Sequence, residues 1–487
     1  MRSSLEILRQ LEADLREART DRVLARIKEV QPTKLPREAI LPFANICRRS
    51  GKIVSALKAL TPLIHPAKGR RKSAAPATPA ERAEFAVCLQ RYGAVREAKE
   101  LLEQSDSAHA PEALLYRAFC HFNLWEYADA IPLLESYLAL DLAPYARLVG
   151  RINLSAAHVA TSDFSTALAR LSEDVAIAGT AGFWRLQGNA FELRAQTKIL
   201  TKDFSGAEED LSAAEALLRK EGGFESAFVT KWRAIRAALE SGDLSPLENY
   251  RQQAGQTRDW ENLRDADRFL LLARFEGERF NRLIFGSPNP KFRERLCRDL
   301  GRELPREPWL VGEAKAPVLD VREGTFLGNE LLTPGQMPHR LLIAVSRDLY
   351  RPISMGALFS DLYPGESFNV FTSPTRVHRL IERAQEYLRD GKVPAAIVCE
   401  RGSYSLRLSP HVALRTHLST ELSTKNDLLL RDLAMKLDRH LTFTSKEAGQ
   451  VLGLHERSLQ RFLQWGIESA RVERLGSGPA TRYAIAS

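Results

Sequence analysis

A small residue recurs along the first half of this chain at intervals typical of a repeat of helix pairs. Each of five segments places an alanine about three positions after an aromatic or aliphatic residue. The segments are KIVSALKAL (Ala56), AVREAKELL (Ala98), EYADAIPLL (Ala130), DFSTALARL (Ala167) and DFSGAEEDL (Ala207), at intervals of 42, 32, 37 and 40 residues. Small side chains there let two antiparallel helices approach closely, and a period of this size indicates a solenoid.

One predicted pair is visible in full between Ala113 and Asp141, where apolar residues recur at helical spacing around a break at Asn123–Glu126. The pattern resembles the tetratricopeptide repeat, whose helix pairs carry an alanine at this point. Asp163-Phe164 and Asp203-Phe204 match the acidic–aromatic step before that alanine. Most intervals exceed the usual period of about 34 residues, so the repeats are tetratricopeptide-like. A generic helical bundle is the alternative. The resemblance implies a concave surface that binds a peptide, a protein or an internal domain.

The formal net charge of +9 and sequence pI near 9.3 favour an anionic partner, of which nucleic acid is the commonest. A merely basic soluble protein is the alternative. The basic cluster Arg70, Arg71 and Lys72 is expected in a solvated surface loop. Five cysteines without a CxxC pair predict neither a disulfide framework nor a zinc site. Since no apolar signal segment or membrane span is visible, we expect a cytoplasmic chain.

The pattern of apolar residues changes after about residue 310. The stretch Val318–Leu332 alternates around two glycine turns and predicts a small antiparallel sheet. A helix is expected to open near Thr333-Pro334, a second after the N-cap Ser354, and a third over Ser373–Asp390, capped by Ser373. Two strands around Arg401-Gly402 follow.

This order resembles the effector domain of OmpR/PhoB-type response regulators, with LLTP (331–334) at the first helix and ERGSYSLRL (400–408) at the closing wing. The resemblance implies that Ser373–Asp390 is a recognition helix in the major groove of DNA. Acidic residues dilute the basic residues in the second half of this helix. The DNA-binding residues it implies are Thr375, Arg376, His378, Arg379, Arg383 and, in the wing, Arg401.

A second helix-turn-helix is predicted in TSKEAGQVLGLHERSLQRFL, residues 444–463. Thr444 and Glu447 form a capping box, and Gly453 permits the reversal between the two helices. The end of the chain, 472–486, predicts a hairpin and resembles the terminal wing of bacterial winged-helix regulators. The predicted DNA-binding residues here are His455, Arg457, Gln460, Arg461, Arg474 and Arg482.

The predicted fold is therefore mainly α. An α-solenoid of tetratricopeptide-like helix pairs covers residues 1–285, and two small α+β winged-helix domains cover 310–410 and 424–487. Enzyme motifs such as GxxxxGK, HExxH and GxSxG are missing from the sequence. We therefore expect no enzyme activity, no cofactor and no metal site.

The predicted function is that of a bacterial-type transcriptional regulator. Its helical array senses a signal or binds a protein or peptide partner, and its winged helices bind double-stranded promoter DNA. A homodimer is left open. The alternative is a non-enzymatic adaptor in which the repeats and the winged helices all bind proteins.

Overall fold

The computed structural model describes residues 4–16, 19–66, 75–106, 108–219, 226–313, 315–418, 422–437, 442–478 and 481–486. The predicted basic loop residues Arg70, Arg71 and Lys72 lie outside these residues. Two compact units make up the chain. The first unit comprises residues 1–307, 348–377 and 399–404, and the second comprises 308–347, 378–398 and 405–487. The three-domain division drawn from the sequence stays a prediction.

The first unit is dominated by helices packed in sequential antiparallel pairs. They are α1 (Ser4–Arg16), α2 (Thr20–Arg26), α3 (Arg37–Arg49), α4 (Ile53–Ile64), α5 (Pro79–Tyr92), α6 (Val95–Glu103), α7 (Glu112–Asn123), α8 (Tyr127–Leu138), α9 (Pro144–Ala160), α10 (Phe164–Thr180), α11 (Trp184–Leu200), α12 (Phe204–Leu218), α13 (Ser226–Glu240), α14 (Ser245–Thr257), α15 (Trp260–Ala273), α16 (Gly277–Phe285) and α17 (Pro290–Leu300). Short 3-10 turns at Ile27–Glu29 and Pro32–Lys34 connect α2 to α3. We call α1–α17 the array.

The repeat alanines lie where the sequence predicts them. Each belongs to the second helix of a pair and is fully buried, on α4, α6, α8, α10 and α12 respectively. In the third pair, Ala130 packs with Leu115, Leu134 and Tyr137. A methyl group at these points lets the partner helix approach, so the mainly helical repeat fold is confirmed.

The acidic–aromatic step has a capping role in the structure. The side chains of Asp163 and Asp203 accept hydrogen bonds from backbone N–H groups three residues later, and so cap α10 and α12. The residue before each aspartate has a positive φ, 67° at Ser162 and 66° at Lys202. These left-handed residues end the preceding helix, and one tight turn is thereby repeated along the array.

Helices and strands after the array build the rest of both units. They are β1 (Trp309–Val311), β2 (Val318–Asp320), β3 (Thr325–Phe326), β4 (Asn329–Glu330), α18 (Met337–Ser346), β5 (Ile353–Ser354), α19 (Met355–Leu362), α20 (Ser373–Asp390), β6 (Ala395–Glu400), β7 (Ser403–Leu408), β8 (Ala413–Thr416), α21 (Lys425–Lys436), α22 (Ser445–Leu452), α23 (Glu456–Glu468), β9 (Val472–Leu475) and β10 (Arg482–Ile485).

The predicted small sheet is part of a larger one. Its five strands run in the order β1-β8-β2-β3-β4, with β8 antiparallel to β1 and parallel to β2. Leu319 of β2 pairs with Phe326 and with Leu414. Strands β1 and β8 were not predicted, because they come from segments about a hundred residues apart in the chain.

One helix start and one expected N-cap differ from the prediction. Helix α18 begins at Met337 after the N-cap Gln336 rather than near Thr333-Pro334, since Gly335 in between has a φ of +78°. Helix α20 has the predicted bounds, but Ser373 is its first helical residue. The Ser373 hydroxyl accepts a hydrogen bond from the Asn369 N–H at 2.9 Å, which fixes the chain as it enters the helix.

The last three helices and the β9–β10 hairpin share one apolar core. Buried Leu433 of α21, Ala448 of α22 and Phe462 of α23 meet in it, together with Val472 of β9. Strands β9 and β10 pair antiparallel, and Phe443 bridges to Tyr483. Across the described part of the chain, no helix has the length and apolar character needed to cross a membrane.

Candidate functional site

Helix α20 separates its residues into a buried stripe and an exposed face. Val377, Leu380, Ile381, Ala384 and Leu388 are buried at helical spacing. The five residues that the sequence predicts to contact DNA are all exposed: Thr375, Arg376, His378, Arg379 and Arg383. Because the buried stripe fixes the rotation of the helix, these side chains share the solvent-facing side.

Arg376 on this face already has partners. Its guanidinium bonds both carboxylate oxygens of Glu366 and stacks 4.0 Å from the centre of the Tyr363 ring. The hydrogen bond from Arg376 lowers the pKa of Glu366. Exposed ion pairs contribute only about 0.2–1 kcal/mol, so the ion pair with Glu366 orients Arg376 but is weak enough to be exchanged for another partner. Among the described residues, none forms an ion pair with Arg379.

Arg401 lies at the tip of the β6–β7 hairpin. Arg401 and Gly402 have φ values of 52° and 78°, which is the left-handed pair that a two-residue hairpin turn requires. The guanidinium is exposed, and the neighbouring Glu400 pairs with Arg258 of the array at 2.8 Å.

The segment predicted as a second helix-turn-helix forms α22 and α23, and its caps are the expected ones. The Thr444 side chain accepts from the Glu447 N–H while Glu447 bonds back to the Thr444 N–H, and Gly453 ends α22 with a φ of +62°. On α23, Leu459 and Phe462 are buried. The predicted contact residues His455, Arg457, Gln460 and Arg461 are exposed.

Gln464 extends this exposed face of α23, although the sequence analysis does not predict it as a contact residue. It is exposed four residues after Gln460 and seven after Arg457, and its amide donates to Glu468 at 2.8 Å. The helical i, i+3, i+7 spacing from Arg457 is the signal that could have found it.

The arginines of the β9–β10 hairpin differ in their surroundings. Arg474 on β9 is exposed. Arg482 on β10 is also exposed, but its guanidinium donates to the hydroxyl and the carbonyl of Thr442 at 2.5 Å each. Arg482 thus ties the hairpin to the start of α22. Arg471, which the sequence analysis did not single out, pairs with Asp427 of α21.

The segment 348–372 of the first unit, which we call the coupling segment, ends at the residue that precedes α20. Its first residues contact α15. The Arg264 guanidinium donates to both carboxylate oxygens of Asp348 at 2.7 and 2.8 Å, and the Tyr350 hydroxyl donates to Asp267 at 2.8 Å. Arg264, Asp267 and Tyr350 are all buried.

The coupling segment also contacts the turn between α5 and α6. The Ser354 hydroxyl donates to the Tyr92 carbonyl at 2.8 Å, and the Phe368 N–H donates to the Glu97 carboxylate at 2.9 Å. A Cβ on Gly356 would lie 2.6 Å from the Tyr92 carbonyl oxygen, so a glycine is needed for this approach. Burial raises the pKa of Glu97 to about 7.

One group of side chains has the spacing of metal ligands. His121, Glu126 and Asp129 offer ligand atoms within 4.8 Å of one another. Nδ1 of His121 lies 2.8 Å from Oε2 of Glu126, and Lys99 approaches the same oxygen at 3.3 Å. These contacts explain the cluster without a cation, because an ammonium group already neutralises the carboxylate.

No family model and no curated protein matches the chain. Solved structures with some likeness include a Rap protein complexed with competence and sporulation factor, at 14% identity and a TM-score of 0.41, covering 61% of this chain and 94% of that one. The apo form of RapI has 11% identity and a TM-score of 0.35, with coverages of 58% and 85%. Aspartyl phosphate phosphatase F from Bacillus subtilis has 11% identity and a TM-score of 0.38, with coverages of 63% and 98%.

These values are too low for any argument about mechanism. The prediction that the chain is not an enzyme is wrong as an exclusion, because one of the similar structures carries the name of a phosphatase. That activity is said of that protein alone. Missing sequence motifs did not justify the exclusion, since they cover only a few catalytic arrangements.

Proposed function

We propose that this chain is a DNA-binding transcriptional regulator with two winged helices, and that its array binds a protein or peptide. The observation that carries the proposal is the construction of α20 and α23. Each buries an apolar stripe and exposes arginine beside polar residues, and each is followed by a two-stranded hairpin with an exposed arginine. Such helices enter the major groove, and their hairpins contact the phosphate backbone.

The order of elements supports the OmpR/PhoB-like assignment of residues 310–410. Short strands come first, three helices follow, and the β6–β7 hairpin closes the order. The assignment of 424–487 as a second winged helix is supported in the same way by α21, α22, α23 and the β9–β10 hairpin. The three-domain division is part of this proposal.

The chemistry of the exposed faces fits duplex DNA. Arginine forms two hydrogen bonds to guanine, and glutamine does so to adenine. Arg457 and Gln460 lie three residues apart on α23, close enough to contact neighbouring bases. The basic charge of the chain supplies phosphate neutralisation, which dominates affinity and makes it salt-dependent. A DNA-binding role places the chain in the cytoplasm of a bacterial cell.

Binding of the full-length chain to a labelled duplex at about 50 and 200 mM salt tests the proposal. We expect tight retention at the lower concentration and a steep loss at the higher one. Equal retention at both, or none at the lower, would contradict DNA binding and favour the adaptor alternative, in which the winged helices bind proteins.

A charge-matched control separates the sites from the net charge. The double variant Arg457→Ala, Arg461→Ala removes two exposed cations from α23. The double variant Lys291→Ala, Arg298→Ala removes two exposed cations from α17. Only the first should weaken DNA binding strongly.

A further inference from the structure

We infer that Glu97, Arg264 and Asp267 of the array are positioning residues for the recognition helix α20. They touch no DNA. They hold the coupling segment that leads into that helix. The inference rests on the proposed function, and it adds a route by which the array regulates DNA binding.

The first anchor is at α15. The two-bond pair between Arg264 and Asp348 is largely removed from solvent, with side chains 7% and 16% exposed. The guanidinium also lies 5.3 Å from the centre of the Tyr350 ring. A second bond, from Tyr350 to Asp267, is fully buried. Breaking a buried pair leaves an uncompensated charge, so this end of the segment is fixed.

The second anchor is at the α5–α6 turn, about 170 residues earlier in the chain. Here Glu97 receives the N–H of Phe368, and the Phe368 ring packs against Tyr92 at 5.3 Å. Asn369 follows directly. Its N–H donates to the Ser373 hydroxyl, and its carbonyl accepts from the Ser373 N–H, each at 2.9 Å. Glu97 therefore holds the residue next to the turn that starts α20.

The two anchors lie on helix pairs that are far apart in the repeat order. In a stacked array each pair contacts mainly its neighbours, so small changes between pairs add up over distance. A ligand that alters the stacking between α6 and α15 changes the separation of the anchors. The coupling segment then shifts α19 or releases an anchor, and the first turn of α20 moves with it.

The test compares two aspartates in the full-length chain. Asp348→Asn breaks the ion pair between Arg264 and the coupling segment, while its remaining carbonyl oxygen still accepts the local turn bonds. Asp299→Asn breaks the matched pair with Arg268, which has the same 2.8 Å contact from α15 but stays within the array. The probe is a duplex selected from a random-sequence pool by the wild-type chain, with a scrambled duplex as reference.

We expect Asp348→Asn to lower the ratio of selected to scrambled affinity by roughly threefold to thirtyfold. Hydrogen exchange in α19 and the first turn of α20 should quicken. Asp299→Asn should change neither. A second pair makes the test independent of one substitution: Glu97→Ala should lower the ratio, while Glu97→Gln, which keeps an acceptor for the Phe368 N–H, should preserve it.

Equal ratios and equal exchange for Asp348→Asn and Asp299→Asn, or no difference between Glu97→Ala and Glu97→Gln, would overturn the inference. Failure of the proposed function looks different, since the wild-type chain would then select no duplex. In that case the exchange comparison alone decides whether the anchors order the start of α20.

Discussion

The hydroxyl of Tyr350 donates a hydrogen bond to the carboxylate of Asp267 at 2.8 Å, across 83 residues of sequence. Asp267 also receives the guanidinium groups of Arg251 and Arg279. One buried carboxylate thus joins three helices of the array, α14, α15 and α16, to the segment that precedes α19. Long-range bonds of this kind make the coupling segment part of the first unit.

Tyr350→Phe removes this bond and keeps the ring. We expect the free energy of unfolding to fall by about 1–2 kcal/mol, because Asp267 keeps its two arginine partners. Chemical denaturation measures the change. Tyr116→Phe is the control, since the hydrogen bond between the Tyr116 hydroxyl and Arg48 is long, at 3.5 Å, and lies within the array. An equal loss of unfolding free energy in both variants would show that the Tyr350 hydrogen bond contributes no more to stability than the long one at Tyr116.

Glu97 gives the coupling segment a pH dependence. Its pKa rises from the ordinary value of 4.5 to about 7 through burial, which the neighbouring Glu100 reinforces and the Phe368 N–H opposes. Because the folded state binds the proton of this carboxyl more tightly than the unfolded state does, the protonated carboxyl contributes to the stability of the fold. This contribution is complete below pH 4.5 and is lost as the pH rises through 7. We expect a loss of about 1–2 kcal/mol between pH 5 and 8 after solvent screening.

Glu97→Gln should remove that slope, because the amide cannot ionise. Denaturation of both proteins at several pH values between 5 and 8 checks this. The variant should match or exceed the wild type in stability above pH 7. Parallel slopes in the two proteins would show that Glu97 does not titrate in this range.

Ala130 tests the close approach of paired helices. Ala130→Trp places a large ring at a fully buried position and should cost about 1–3 kcal/mol by overpacking. Ala128→Trp, on the exposed side of the same helix α8, is the control and should melt like the wild type. Identical melting curves for the two variants would contradict the assigned repeat phase.

Glu366 should restrain Arg376. Glu366→Gln removes the carboxylate that holds this guanidinium and also removes a negative charge beside α20. We expect affinity for any duplex to rise about twofold to fivefold, as the energy of an exposed ion pair allows. Fluorescence titration of the full-length variant against unrelated duplexes measures it. A fall in affinity would show that the pair orients Arg376 for DNA.

Local features could be predicted from the sequence because they depend on neighbours in the chain. The buried alanines, the capping box at Thr444 and the bounds of α20 are of this kind. Helix α21 also had a signal, since Thr424 and Asp427 form a capping box that was overlooked. Its core residue Leu433 then follows at helical spacing.

Other features had no local signal. Strand β1 pairs with β8 through Trp309 and Thr416, and the sequence around either residue gives no signal for this pairing. The hydrogen bond from Phe368 to Glu97 also has no signal in the sequence, because a glutamate on a helix is usually solvated. Arg376 and Arg482 are predicted from the sequence as DNA-binding residues, and their partners Glu366 and Thr442 emerge only in three dimensions.

The central claim is that α23 recognises base sequence, and the titration of three single variants against selected and scrambled duplexes tests it most directly. Arg457→Ala and Gln460→Ala should each lose about 1–3 kcal/mol on the selected duplex and much less on the scrambled one. Arg474→Ala, in the β9–β10 hairpin, should weaken binding to both duplexes alike and make the salt dependence shallower. Equal losses on both duplexes for all three variants would contradict base recognition by this helix.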